Sequence, residues 1–166
     1  MASAASASTG NRLLDALLRE CRPLRQSIED LNVPVGATLA REGEPATHVY
    51  FPASGVLSTV IQLAGGGSSE VFIVGSEGMI GVAVWLGVKT HLANVVQQAP
   101  GVTLRIPSTQ FCGALEHAPR ATSLLKRFIA YSLRLAYQTT VCNATHTVEQ
   151  RACRWLLSTA ERAGSP

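Results

Sequence analysis

Short segments of β-type composition fill the middle of the chain, and they constrain its fold more than any other feature. Stretches that contain glycine and proline separate them, among them "REGEP", "PASG", "AGGG" and "APG". Many short strands punctuated in this way are typical of a β-sandwich or β-barrel. The predicted strands are Thr38–Ala40, His48–Phe51, Val56–Leu63, Ser69–Val74, Leu92–Gln98 and Val102–Ile106.

Helical periodicity precedes this β-rich region. The apolar residues there form a stripe that continues across a break near Pro23: Leu13, Leu14, Leu17 and Leu18, then Leu24, Ile28 and Leu31. Helical spacing of this kind predicts amphipathic N-terminal helices. The opening sequence MASAASASTG lacks the basic and apolar segments of a signal peptide, so residues 1–10 are expected to be a disordered tail.

Helical periodicity returns after the last predicted strand. Ser108 is expected to cap a short helix, and Pro119 begins a long one because proline is favoured in the first helical turn. The long helix carries a heptad pattern of Leu124, Phe128, Tyr131, Leu135, Gln138 and Cys142. Such a pattern indicates helix-on-helix packing and predicts a dimer interface. A second stripe lies beside it, made of Leu125, Ile129, Ser132 and Ala136. With two stripes, one face of the helix can meet the β-region and the other a partner.

A last helix is predicted near the C-terminal end. Thr147 and Gln150 have the spacing of a capping box, and the final "GSP" contains a stop signal. From residue 120 onward seven Lys/Arg stand against two Glu, and this asymmetry suits the approach to an anion. A solvated helix face is the simpler interpretation, and we expect Arg151 and Arg154 to be solvated surface residues.

Composition excludes several classes of protein. With 46% hydrophobic and 15% charged residues, the chain is globular rather than disordered. No apolar run approaches the length of a membrane span, so no membrane partner is expected. The four cysteines form no CxxC pair, which indicates reduced thiols and a cytoplasmic protein.

The segment "VPVGATLAREGEPATHVYFPASGVL" resembles the early strands of the cyclic-nucleotide-binding fold in the Crp/Fnr transcription regulators. The matching positions are Leu39, Gly43, Glu44, Ala46, Tyr50 and Gly55. The order of predicted elements is similar as well. The resemblance implies a mainly β protein with flanking helices: a cyclic-nucleotide-binding-type β jelly roll followed by a long dimerisation helix. It also implies a homodimer, a small-molecule effector of unknown identity, and DNA contact only through a C-terminal domain missing from this sequence.

Mapped onto this sequence, the resemblance divides the chain into four parts. After the tail of residues 1–10, residues 11–117 form the cyclic-nucleotide-binding-like β-roll with its N-terminal helices. Residues 118–146 form the dimerisation helix. Residues 147–166 are the first helix of a truncated DNA-binding domain.

The phosphate-binding turn of the family maps onto the segment that begins at Gly81. In nucleotide-binding members this turn is Gly-Glu-Leu, its Glu accepts the ribose hydroxyl, and a later Arg neutralises the phosphate. Here Val82 replaces the Glu, and the stretch "THLANVVQQ" contains no Arg. The candidate ligand-binding residues are therefore Gly81, Val82, Ala83, Lys89, His91 and Asn94. Because a buried phosphate without a cation is unfavourable, we predict that cyclic AMP binds poorly or not at all.

Other functions are weighed against this one. A scaffold domain without a ligand would fill its pocket with Val82, Val84, Trp85 and Val95. A cupin-like metalloenzyme needs a His-x-His pair, whereas the histidines here stand alone, so no metal site is predicted. Haem ligation by a lone His or Cys stays open, and no cofactor is assigned. With neither a GxSxG motif nor a Cys beside a plausible His–carboxylate relay, no catalytic residue is predicted and the chain is not expected to be an enzyme.

Overall fold

The computed structural model describes residues 8–163, in which two antiparallel sheets are flanked by helices. The strands are β1 (Glu29–Asn32), β2 (Thr38–Ala40), β3 (His48–Pro52), β4 (Val56–Gln62), β5 (Ser68–Val74), β6 (Asn94–Ala99) and β7 (Val102–Pro107). The helices are α1 (Arg12–Glu20), α2 (Ser108–Glu116), α3 (Pro119–Thr145) and α4 (Val148–Ala163), with 3-10 turns at Arg22–Ser27 and Val82–Val84. One sheet has the order β1-β7-β3 and the other β2-β6-β4-β5. The predicted fold class, a β jelly roll with flanking helices, is confirmed.

The main hydrophobic core joins the helices to the three-stranded sheet. Helix α1 buries Leu14 and Leu17 completely, because its apolar residues recur on one face. Phe51 of β3, Ile106 of β7 and Leu125 of α3 are fully buried in the same cluster. A smaller cluster consists of Ala40, Tyr50, Leu57, Val74, Ile80 and Val95. The first part of α3 is therefore fixed to the β-roll by shared core packing.

Two local predictions are wrong. Leu31 was assigned to a helical stripe, but it lies in β1 opposite Thr103 of β7. Sheet pairing with a strand that is distant in sequence overrides the local helical spacing there. Ser108 does not cap α2, because Pro107 holds the cap position and the Ser108 Oγ donates to the Ala46 carbonyl at 2.6 Å. This buried hydroxyl ties α2 to the turn before β3.

The structure shows how two of the helices begin. Asn11 caps α1 by accepting a hydrogen bond from the Leu14 N–H at 2.8 Å. The capping box of α4 is confirmed: the Thr147 N–H donates to Gln150 Oε1 at 3.0 Å, and the Gln150 N–H donates to Thr147 Oγ1 at 3.4 Å. The predicted stop at residues 164–166 and residues 1–7 of the predicted tail lie outside the described residues. Residues 8–10 are described, and Thr9 hydrogen-bonds the Asp15 carboxylate.

Part of the predicted heptad of α3 packs against its own chain. Phe128 and Cys142, which the heptad places at the predicted dimer interface, are each 7% exposed in this chain. Leu124 and Leu135 are half-buried, whereas Tyr131 and Gln138 are exposed. The rest of the chain packs against a face of α3 that is wider than one stripe. This face includes part of the predicted heptad.

A different stripe of α3 is left uncovered. Leu133 is 50% exposed, Tyr137 69% and Val141 59%. Ala130 and Ala144 are also exposed and continue the same helical spacing. No helix within the described residues combines the length and apolar character needed to span a bilayer.

Helix α4 folds back onto the four-stranded sheet. The Trp155 Nε1–H donates to Glu70 Oε1 of β5 at 2.8 Å. The Arg162 Nε–H donates to Glu77 Oε1 at 2.8 Å, just beyond the end of β5. Helix α4 is therefore attached to β5 and to the turn that follows it.

Candidate ligand-binding site

The glycines that follow β5 lie where the backbone approaches other elements. A Cβ at Gly75 would lie 2.7 Å from the Cβ of Arg162, and one at Gly78 would lie 2.5 Å from Cε2 of Phe128. Gly81 has a φ of +93°, which favours glycine, and a Cβ there would lie 3.3 Å from Val49. These glycines thus bring the segment against α4, α3 and β3 in turn.

A cavity of about 230 Å³ opens beside this segment. It is formed by β-roll residues and by two residues of α3, Phe128 and Ser132. Its lining is mostly apolar and consists of Ala46, Thr59, Phe72, Met79, Ile80, Gly81, Val82, Ala83, Val84, Thr90, His91, Leu92, Ala93, Val95, Phe128 and Ser132. The cavity is thus walled on one side by the long helix.

The structure brings together only some of the predicted ligand-binding residues. The turn of Gly81, Val82 and Ala83 lines the cavity, and so does His91. Lys89 is exposed and lies outside the lining. Asn94 is also outside it, and its Oδ1 accepts a hydrogen bond from the Glu42 N–H at 3.1 Å.

The charge of the cavity follows from this placement. Its lining, as far as the described residues define it, contains no Lys, Arg, Asp or Glu. Of the described residues in the lining, His91 alone is titratable, and it is 7% exposed. Burial lowers the pKa of His91, an effect that Glu44 opposes and His48 reinforces. The imidazole is therefore biased toward its neutral form, and an anion in the cavity would have no firmly charged partner.

Sequence reasoning missed the contribution of α3 to the cavity. Phe128 was assigned to the dimer interface, and Ser132 to a neighbouring stripe, although both line the cavity. Phe72 of β5 and Met79 also line it and were not singled out. Helical or strand spacing shows on which face of an element a side chain lies, but it does not show which cavity that face lines. The resemblance to a binding turn was the available signal, and it identified only that turn.

The lining of the cavity and the placement of the possible metal ligands bear on the scaffold and metalloenzyme interpretations. Val82, Val84 and Val95 line the cavity without filling it, and Trp85 packs against the main core instead. Among residues 8–163, no group of three or more His, Cys, Asp or Glu is arranged to hold a metal ion. Cys142 and His146 are four residues apart, the spacing of two metal ligands on one helix, but Cys142 is buried and His146 is exposed.

The family follows from sequence comparison. The family model described as the cyclic nucleotide-binding domain matches residues 31–117, just over half of the chain. The chain therefore belongs to the cyclic nucleotide-binding domain family. No curated protein sequence matches it.

Several solved structures share the fold. FixK2 from Bradyrhizobium japonicum superposes with a TM-score of 0.71 at 16% identity, covering 81% of this chain and 67% of that one. The c-di-GMP responsive global regulator CLP from Xanthomonas campestris gives 0.66 at 16% identity, covering 87% and 69%. The Catabolite Activator Protein of Thermus thermophilus gives 0.62 at 17% identity, covering 78% and 63%. The chain thus spans less than two thirds of the Thermus protein's length.

Proposed function

We propose that the chain is the effector-sensing and dimerisation portion of a Crp/Fnr-type transcription regulator, and that its effector is uncharged and largely apolar. The single observation that carries this proposal is the cavity at the Gly81 turn. Among residues 8–163, its lining includes Phe128 and Ser132 of α3 and no Lys or Arg. A ligand there would contact the β-roll and the long helix at once.

Shared walls give the ligand a means of changing the position of α3. A ligand shifts an equilibrium only through different contacts in the two states. Helix α3 has 27 residues and is therefore about 40 Å long. A small rotation at Phe128 would be enlarged at its far end, where α4 begins. The similarity to FixK2, CLP and the Catabolite Activator Protein supports such a role. In this proposal, DNA is bound by a domain that α4 leads into.

The proposal that cyclic AMP is not the effector rests on the missing charge. A phosphate in the cavity would lose its hydration without gaining a guanidinium partner, and charge-assisted hydrogen bonds are about twice as strong as neutral ones. Lys89 is on the surface and would have to leave it to reach the cavity. A membrane partner and an enzymatic reaction form no part of this proposal.

Thermal unfolding with candidate ligands tests the proposal. We expect indole, an uncharged aromatic probe, to raise the midpoint, and cyclic AMP and cyclic GMP to leave it unchanged. A ligand at a hundred times its dissociation constant stabilises by about 2.7 kcal/mol, which is a rise of several degrees for a domain of this size. Ala83→Leu fills the cavity and should abolish the effect of indole. Ala64→Leu makes the same change in an exposed turn and should retain it.

Two other outcomes of the unfolding experiment would count against the proposal. A rise of several degrees with cyclic AMP contradicts the argument from charge. A chain that responds to no compound, and is unchanged by Ala83→Leu, favours the scaffold interpretation over the sensor.

A further inference from the structure

A second concave site lies between α3, α4 and β5, apart from the cavity at the Gly81 turn. It encloses about 500 Å³, within the range typical of small-molecule sites. Phe72 is the one residue common to both linings. The groove is lined by Ser69, Glu70, Val71, Phe72, Ile73, Leu135, Thr139, Asn143, Val148, Arg151, Ala152, Arg154, Trp155, Ser158 and Arg162. Three arginines and one glutamate are its charged groups.

Two of these arginines have buried donors that nothing accepts. The Nε atoms of Arg151 and Arg154 are buried and have no hydrogen-bond partner among residues 8–163. Arg154 makes a single long hydrogen bond, from Nη1 to Thr139 Oγ1 at 3.4 Å. Both residues were expected to be solvated surface, which is wrong for these Nε atoms. Buried donors are rarely left unpaired, because each loses its hydration without compensation.

The acidic group of the groove is already engaged. Glu70 accepts a hydrogen bond from Trp155 Nε1 on one oxygen and from Ser58 Oγ on the other. Within the described part of the chain, no carboxylate lies within ion-pair distance of Arg151 or Arg154. Arg162, by contrast, is paired with Glu77. The groove therefore holds two guanidinium groups that lack a counter-charge.

We propose that this groove binds a small organic phosphate, which Arg151 and Arg154 hold through their guanidinium groups. The planar guanidinium matches phosphate geometry through two parallel N–H donors, so a doubly charged phosphate monoester suits two such groups. Leu135, Val148 and the ring of Trp155 supply apolar walls for the organic part. Because both α4 and β5 line the groove, the ligand would also stabilise the docked position of α4.

NMR of the ¹⁵N-labelled chain tests this directly through the arginine Nε–H signals, which Arg151→Gln and Arg154→Gln assign. The titrants are adenosine 5′-monophosphate, inorganic phosphate and adenosine, at constant ionic strength. We expect the monophosphate to shift both signals with saturation, inorganic phosphate to shift them more weakly, and adenosine to leave them unchanged. Each single substitution should weaken binding of the monophosphate about tenfold or more.

A matched variant separates the site from general charge. Arg134→Gln removes the same charge from an exposed position of α3 outside the groove and should leave the affinity unchanged. Unfolding midpoints of the three variants without ligand show whether each is folded. The proposal is overturned if adenosine binds as well as its monophosphate, or if inorganic phosphate binds and the monophosphate does not. It is also overturned if Arg134→Gln weakens binding as much as the groove substitutions do, or if no signal shifts.

Discussion

Arg162 in the last turn of α4 pairs with Glu77, at 2.8 Å, in the turn that leads from β5 to the candidate effector cavity. Both side chains are largely shielded, at 12% and 18% exposure. The Glu77 carboxylate also accepts a hydrogen bond from the Gly75 N–H at 3.1 Å. One carboxylate thus links the last helix to the glycine segment that forms the cavity wall.

Removal of this pair should release α4. Arg162→Gln leaves Glu77 shielded from solvent without its cation. We therefore expect the free energy of unfolding to fall by about 1–3 kcal/mol and the amides of α4 to exchange faster. Hydrogen exchange and urea unfolding measure both quantities. The control is Arg41→Gln, which breaks an exposed pair with Glu44 at 3.9 Å and should cost about 0–1 kcal/mol. Equal losses in the two variants would argue against an anchoring role for Arg162.

The contact between Gly78 and Phe128 should tolerate no added atom. Gly78→Ala places a Cβ 2.5 Å from the Phe128 ring, and we expect a destabilisation of about 1–3 kcal/mol. Phe128→Leu in the same chain should recover part of this loss, because it removes the clashing atoms. The control is Gly113→Ala in α2, where nothing lies within 4 Å and alanine favours the helix by about 1 kcal/mol. A neutral Gly78→Ala would show that α3 can shift freely there.

A homodimer formed through α3 should depend on its exposed stripe. Tyr137→Glu introduces a charge into that stripe, so we expect it to shift the chain from dimer to monomer with little change in unfolding midpoint. Sedimentation velocity measures the mass. Leu63→Glu alters an equally apolar exposed residue in the β4–β5 turn and should leave the dimer intact. If Gln138→Glu dissociates the dimer and Tyr137→Glu does not, the heptad predicted from the sequence is the interface instead.

Stability should fall in mild acid because of His91. Burial lowers the folded-state pKa of His91, so below the unfolded value of about 6.5 the unfolded chain takes up the proton first. The contribution of His91 to the free energy of unfolding is therefore complete above pH 6.5 and is lost as the pH falls toward the folded-state pKa. The pKa of His48 is lowered as well, chiefly by burial and also by Arg105, and it contributes in the same sense.

Unfolding midpoints between pH 5 and 7.5 measure this effect. His91→Gln should flatten part of the pH dependence of the unfolding midpoint. An identical pH profile for His91→Gln and the parent chain would rule out His91 as the source.

Local sequence determined much of the fold. The strand segments β2 to β7 were predictable because β-type runs are bounded by Gly and Pro, which end a strand for steric reasons. The capping box of Thr147 and Gln150 was predictable because both partners lie within one turn of helix. The turn at Gly81 was located from the family resemblance, and it lines the cavity, whereas its role in ligand binding stays a prediction. In each case the information lies within a few residues.

Only the tertiary structure decided the rest. Leu31 became a strand residue because β7, more than seventy positions away, pairs with it. Phe128 lines the cavity because Gly78 admits its ring. Arg151 and Arg154 face a groove because α4 folds back onto β5. Spacing specifies which residues share a face, whereas the partner of that face depends on contacts between distant segments, which close packing selects and local pattern does not record.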